Sequence, residues 1–212
     1  MVTPADDKQV RTLFAGQGIA EYLASKMQSY ADDLKHWNPD DLLARTPEDI
    51  AAELLERHGV VSLTLLGPDR QPDSVDRTVD LGRQFSFSDV RRTVKVYRLS
   101  VPFTGDAQLF SVRPTTYNLN PPAGHVDTSM RRLTIESVHP AGEVPDPEKI
   151  GQSFRETLRR VNWHLDQHRD AAERHNAQIA AVGPIQQRIA AIRADREVLS
   201  KIPLPRGTDA QG

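Results

Sequence analysis

Three histidines at helical spacing, His164, His168 and His175, are the first side chains in this 212-residue chain whose types and positions suggest chemistry. An i, i+4 pair of imidazoles on one helix face can grip a metal ion. The pair lacks the His-Glu-x-x-His pattern, because Leu165, Asp166 and Gln167 lie between. His168 and His175 also fall inside an apolar heptad seam, where a histidine with a hydrogen-bond partner is a common polar inclusion. The seam reading is the stronger one, so no metal ligand and no cofactor are assigned.

A second set is basic and aromatic. Arg91, Arg92, Lys95, Arg98, Arg113, Arg131 and Arg132 outnumber Asp89, Asp106 and Asp127 across residues 89–132, with Tyr97, Phe103, Phe110 and Tyr117 among them. A sheet face of this make-up can stack bases and hold phosphates. The competing reading is a solvated strand face whose arginine stems cover apolar neighbours. Adjacent arginines such as Arg131 and Arg132 point to opposite faces of a strand, which divides the patch. Nucleophilic chemistry has less support. Ser111, Ser129 and Ser137 occur near His125 and His139, yet no Gly-x-Ser-x-Gly elbow is present. Phosphate-cradling glycine loops are missing as well. Glu136 lies in a strand pattern without the Glu-x-Lys of a metal-dependent nuclease. No catalytic residue is assigned.

Composition narrows the classes further. Twenty-seven basic and twenty-nine acidic side chains give a net charge of −2, which does not favour a polyanionic partner. There is no cysteine, so disulfides and thiol chemistry are excluded. Asp6 and Asp7 stand where a signal peptide would need apolar residues, and no stretch approaches a membrane span. The expected setting is a bacterial cytoplasm with no membrane partner.

The elements that would position these residues follow from periodicity. Residues 5–36 carry an apolar stripe of Val10, Leu13, Phe14, Tyr22, Leu23, Met27, Tyr30 and Leu34, interrupted near Gly16 and Gly18. Asn38-Pro39-Asp40-Asp41 reads as a helix start. Thr46-Pro47-Glu48-Asp49 reads as a better one, predicting a helix over 47–58 that Gly59 stops. Residues 60–139 are β-rich, with strands expected near 60–66, 76–84, 91–101, 107–113 and 131–138 and a hairpin at Gly105-Asp106. The Pro/Asn/Gly-rich span from Pro114 to Met130 reads as a long, functional connection. From 146 to 201 the pattern is helical, broken at Gly183-Pro184. Phe154, Val161, His168, His175 and Leu158, Leu165, Ala172, Ile179 form its seam. The expectation is one α+β domain over 1–201 with a loose tail at 202–212. An antiparallel sheet of four to five strands is flanked by N-terminal helices (5–58) and a long C-terminal helical hairpin.

The run Val101-Pro-Phe-Thr-Gly-Asp106, with Leu109-Phe110, Arg113-Pro114 and Asn120-Pro-Pro-Ala-Gly124, resembles a block in a group of bacterial hypothetical proteins. The terminal Ile202-Pro-Leu-Pro-Arg206 is similar to their Pro-Leu-x-Arg motif, beyond which longer relatives carry a further domain. The resemblance spans roughly residues 20–206. It implies a recognition or scaffold module and brings no activity or cofactor with it.

The functional expectation is therefore a non-enzymatic binding module engaging a protein partner or a nucleotide-like ligand. Its site residues are Arg98, Phe103, Arg113, Tyr117, Asn118, Asn120 and His125. Two alternatives stand beside it. One is a metal-dependent hydrolase or nuclease using His164, His168, Asp127 or Glu136. The other is a scaffold dimerised through its helical hairpin, in which a homodimer buries the seam.

Overall fold

The computed structural model describes residues 10–80, 91–116, 120–140, 142 and 144–202. Its local signals are honoured where a few neighbouring residues suffice. The Thr46 hydroxyl accepts from the Asp49 amide at 3.2 Å, Pro47 fills the first helical position, and α3 runs Pro47–His58. Asn38 caps Pro39–Ala44 (α2) in the same way, accepting from the Asp40 amide at 2.8 Å. Residues 5–9 of the helix expected over 5–36 lie outside the described residues; from residue 10 on, the helix begins at Ile19, giving α1 as Ile19–His36. Arg11–Thr12 instead forms a short strand, β1. Gly16 explains the break, since a Cβ there would lie 2.6 Å from the Ser111 carbonyl oxygen.

Among the described residues the sheet is antiparallel and has six strands: β1, β2 (Thr64–Leu65), β3 (Asp73–Asp80), β4 (Arg91–Thr104), β5 (Ala123–Asp127) and β6 (Arg132–Pro140). Their order is β1-β5-β6-β4-β2, with β3 also on β4. The long β4 is shared. Its first half pairs with β3 (Arg98 opposite Asp73), its last residues with β2 (Thr104 opposite Thr64), and its other edge with β6 (Leu99 opposite Ile135). Both faces of β4 carry buried residues: Leu99, Val101 and Phe103 on one, Val94 and Val96 on the other. That matches the mixed alternation of its sequence.

Three expectations in the middle of the chain are corrected. Residues 107–113 are not a strand. Ala107–Phe110 is a 3-10 turn capped by Asp106, whose carboxylate accepts from the Gln108 amide at 2.9 Å. Adjacent Leu109 and Phe110 are both buried, which a strand with one core face does not allow. Gly105 does not make a hairpin. At φ +92° it passes so close to Ser62 and Leu63 that a Cβ would sit 2.2 Å from the Ser62 carbonyl oxygen. The Pro114–Met130 connection contains β5, whose Val126 and Asp127 pair with Leu133 and Arg132. The far end of the strand expected over 76–84, and most of the 202–212 tail, lie outside the described residues.

The C-terminal helices are α4 (Pro147–Ile179) and α5 (Gly183–Lys201), parted at Gly183-Pro184 as the proline requires. No helix among the described residues is long and apolar enough to cross a membrane.

The chain divides into two compact units, Met1–Leu23 with Val60–Glu173, and Ala24–Gly59 with Arg174–Gly212. In the first, Phe154, Val161, Leu165 and Ala172 of α4 pack with Leu99, Val101, Leu133 and Ile135 of the sheet. In the second, Ile50 and Leu54 of α3 pack with Ile185, Ile189 and Ile192 of α5 and with Ile179. Every seam side chain of α4 is buried or half-buried within its own chain.

Candidate functional site

In the first unit a cleft of about 430 Å³ opens beside the sheet edge, walled by β1, β5 and the 3-10 turn. Leu13, Ala107, Phe110 and Val126 supply apolar walls, and Arg11, Thr12, Ser111, His125 and Thr128 supply polar groups. Its size lies within the range of small-ligand sites, as does its mix of an apolar lining with a few polar groups. The walls are fixed by main-chain bonds. The Leu13 amide donates to the Pro122 carbonyl at 2.9 Å, and Gly16 donates to Ser111 at 2.8 Å. Phe14, between them, donates to the Phe110 carbonyl at 2.6 Å.

Phe14 itself is unusual. It holds φ +57° and is fully buried. Left-handed backbone costs a bulky L-residue about 1–2 kcal/mol. Its ring lies 4.6 Å from that of His164 and 5.7 Å from that of His168, centroid to centroid. Both histidines are 1% exposed. Nδ1 of His164 and both ring nitrogens of His168 have no hydrogen-bond partner. The hydrogen-bonded inclusion expected of the seam is thus realised at His175, whose Nε2 donates to the His58 carbonyl at 3.2 Å, and not at His168. Burial pushes the His168 imidazole down to about 4, with His164 adding to the effect and a backbone group of Val112 opposing it. His164 is lowered too, first by burial and then by Arg160. Both rings are neutral at pH 7. No group of three or more histidine, aspartate or glutamate side chains that could hold a metal ion exists among the described residues.

Three of the central arginines, Arg98, Arg131 and Arg132, already have partners. Arg98 and Arg132 project from one sheet face, since their β-ladder partners fall in the same register set. Arg98 makes a two-pronged pair with Asp73 at 2.8 and 2.7 Å. Arg132 does the same with Asp69, one contact measuring 2.9 Å, and also bonds the Ser100 hydroxyl at 2.7 Å. The Arg132 guanidinium holds the Asp69 carboxyl down at about 2, and Arg98 lowers Asp73. Between them Arg77 grips Glu136 at 2.8 and 2.7 Å. The face is a ladder of matched charges. Arg131 lies elsewhere, 5.5 Å above the Phe103 ring and bonded to the Gly105 carbonyl at 2.6 Å.

The expected site residues therefore separate. His125 lines the cleft. Phe103 is 2% exposed and packs edge-on against Phe110 at 5.1 Å, behind the cleft wall. Arg98 stands on the opposite face of β4 from Phe103. Arg113 bridges to Gly18, its amide donating to the Gln17 carbonyl at 2.8 Å. The Asn120 carbonyl accepts from Arg160 at 3.5 Å. Tyr117 and Asn118 lie outside the described residues. Sequence reasoning missed Arg11, Thr12, Leu13, Val126 and Thr128. The run Val10-Arg11-Thr12-Leu13-Phe14 does not alternate, so nothing local marked it as a strand.

In the second unit a polar cleft of about 360 Å³ surrounds Trp37. Arg45 and Arg57 lie 5.7 and 5.2 Å over its ring, and both are held by Glu53. Its charges satisfy one another, which suits a packing device better than a ligand site.

No protein family, curated protein or solved structure matches this chain.

Proposed function

We propose that this chain is a non-enzymatic binding module of the bacterial cytoplasm that takes a small nucleotide-like ligand in the cleft beside β5. The supporting observation is the cleft itself: about 430 Å³, with His125 in its wall and Arg11 at its rim. Leu13, Phe110 and Val126 offer an apolar seat for a planar base, and Arg11 offers charge for a phosphate. The paired arginines on the β4 face argue against a long polyanion, because Asp69 and Asp73 already neutralise that surface. The ladder leaves the cleft as the better-formed site.

Calorimetry with AMP as the probe tests the reading. Saturable binding is expected, weakened at least about ten-fold by Arg11→Ala or by Val126→Trp, which fills the cleft. Arg98→Ala leaves it unchanged. Absence of AMP binding, or loss through Arg98→Ala with Arg11→Ala silent, overturns the cleft assignment. Capture of a protein that Val126→Trp alone abolishes, without AMP binding, moves the same cleft to a protein partner.

A further inference from the structure

We propose that the segment Arg11–Gly18 is an acid-released latch: protonation of His164 and His168 unseats Phe14 and opens the cleft that this segment walls. The proposal rests on the cleft reading for its functional meaning, but its physical content stands on the geometry alone.

Four observations converge. Phe14 is buried in a left-handed conformation that an L-aromatic adopts only when its surroundings hold it there. Its ring sits against two histidine rings on α4. Nδ1 of His164 and both nitrogens of His168 are buried without a close hydrogen-bond partner, and the Val112 backbone only partly offsets the burial of a charge at His168. The same short segment supplies Arg11, Thr12 and Leu13 to the cleft wall. A strained residue on a titratable seat, joined to a ligand wall by two or three residues, has the parts of a two-state switch.

The charges around the seat point the same way. Arg160, one turn earlier on α4, is the cation acting on His164, and the two histidines oppose each other's charge. From the opposing elements come the Phe14 ring and the Val112 backbone, and no carboxylate among the described residues stabilises either imidazolium. A released segment returns both rings to water and to their ordinary proton affinity. Because the closed state binds protons less tightly than the open one, lowering pH favours opening. With the closed value for His168 about 4 and the open value near 6.5, pH 5 raises the open population roughly 20-fold over pH 7 through that residue alone.

Native-state hydrogen exchange reads this directly. The amides of Leu13, Phe14, Gly16 and Ile19 are bonded to Pro122, Phe110, Ser111 and Arg113, and each bond breaks when the latch leaves. After correction for intrinsic rates, their protection is expected to fall roughly 30-fold or more between pH 7.5 and pH 5, while the Ile135 amide in the β4–β6 ladder keeps its own. In His168→Leu the fall is expected to shrink to the His164 contribution. Loss of protection at all sites together, no loss at pH 5, or the same loss in His168→Leu would each overturn the latch. If the variant does not fold, the wild-type comparison of latch amides with ladder amides decides. The readout needs no ligand, so it separates failure of the latch from failure of the cleft.

Discussion

Replacing Arg77 by methionine isolates the pair at the centre of the charged sheet face. The Arg77 side chain is 31% accessible and that of Glu136 only 10%, and the two are joined by hydrogen bonds of 2.8 and 2.7 Å. At that separation and an effective dielectric near 20, the gross attraction is about 4 kcal/mol or more. Desolvation of both groups offsets much of it, and the partial exposure of Arg77 reduces it again. A coupling of about 1 kcal/mol should survive. The single changes should be unequal. Arg77→Met leaves the enclosed carboxylate without its main partner and is expected to cost about 2 kcal/mol. Glu136→Gln leaves a guanidinium that can turn to water, and should cost about 1 kcal/mol. Urea unfolding of both single variants and the double variant at pH 7 closes the cycle. If the double change equals the sum of the singles within about 0.3 kcal/mol, the two side chains do not interact and the β3–β4–β6 register is wrong.

Three further outcomes are expected. Gly105→Ala forces a Cβ into the Ser62 carbonyl at φ +92° and should cost well over 2 kcal/mol, whereas Gly142→Ala, at φ +88° with no atom near, should cost about 1 kcal/mol. Equal thermal shifts in the two variants would refute the close crossing at Ser62. Tyr22→Phe removes a 2.7 Å bond to the Asp106 carboxylate and should cost about 1–2 kcal/mol, read from chemical unfolding; a neutral result would place the hydroxyl in water. Global stability should fall as pH drops from 6.5 to 5, because the unfolded chain protonates His168 in that window and the folded chain, with its value near 4, does not. His168 accounts for up to about 2 kcal/mol of that loss. Paired carboxylates such as Asp69 and Asp73 are depressed, so their contribution is lost only at lower pH, and the window belongs to histidine. A His168→Leu variant with the same slope would refute the assignment.

Legibility in the sequence followed range. The Thr46 cap and the α4 seam were readable because every residue that decides them lies within a turn or a heptad of the next. The α+β class was readable because strand and helix periods occupy separate stretches. β1 was hidden inside an apolar stripe that also fits a helix, and its strand character comes from Ala123 and Gly124, far along the chain. Ala107–Phe110 looked like a strand because Gly105 is held by a crossing with Ser62 that no local pattern announces. The cleft draws on residues 11–13, 107–111 and 124–128, so it had no local signature at all. Residue type marked His125 and the arginines as candidates, but only strand register showed that Arg98 and Arg132 already have aspartates.

The pairing of Arg11–Thr12 with Ala123–Gly124 also bears on how the chain is assembled. More than a hundred residues separate the partners, so during synthesis the first strand emerges long before the strand that receives it. Until then β1 has no strand to pair with, and the pairing closes a long loop, which slows its formation. The strand that arrives first in the chain thus waits longest for its neighbour, and the wall of the cleft is completed by the two ends of that long loop.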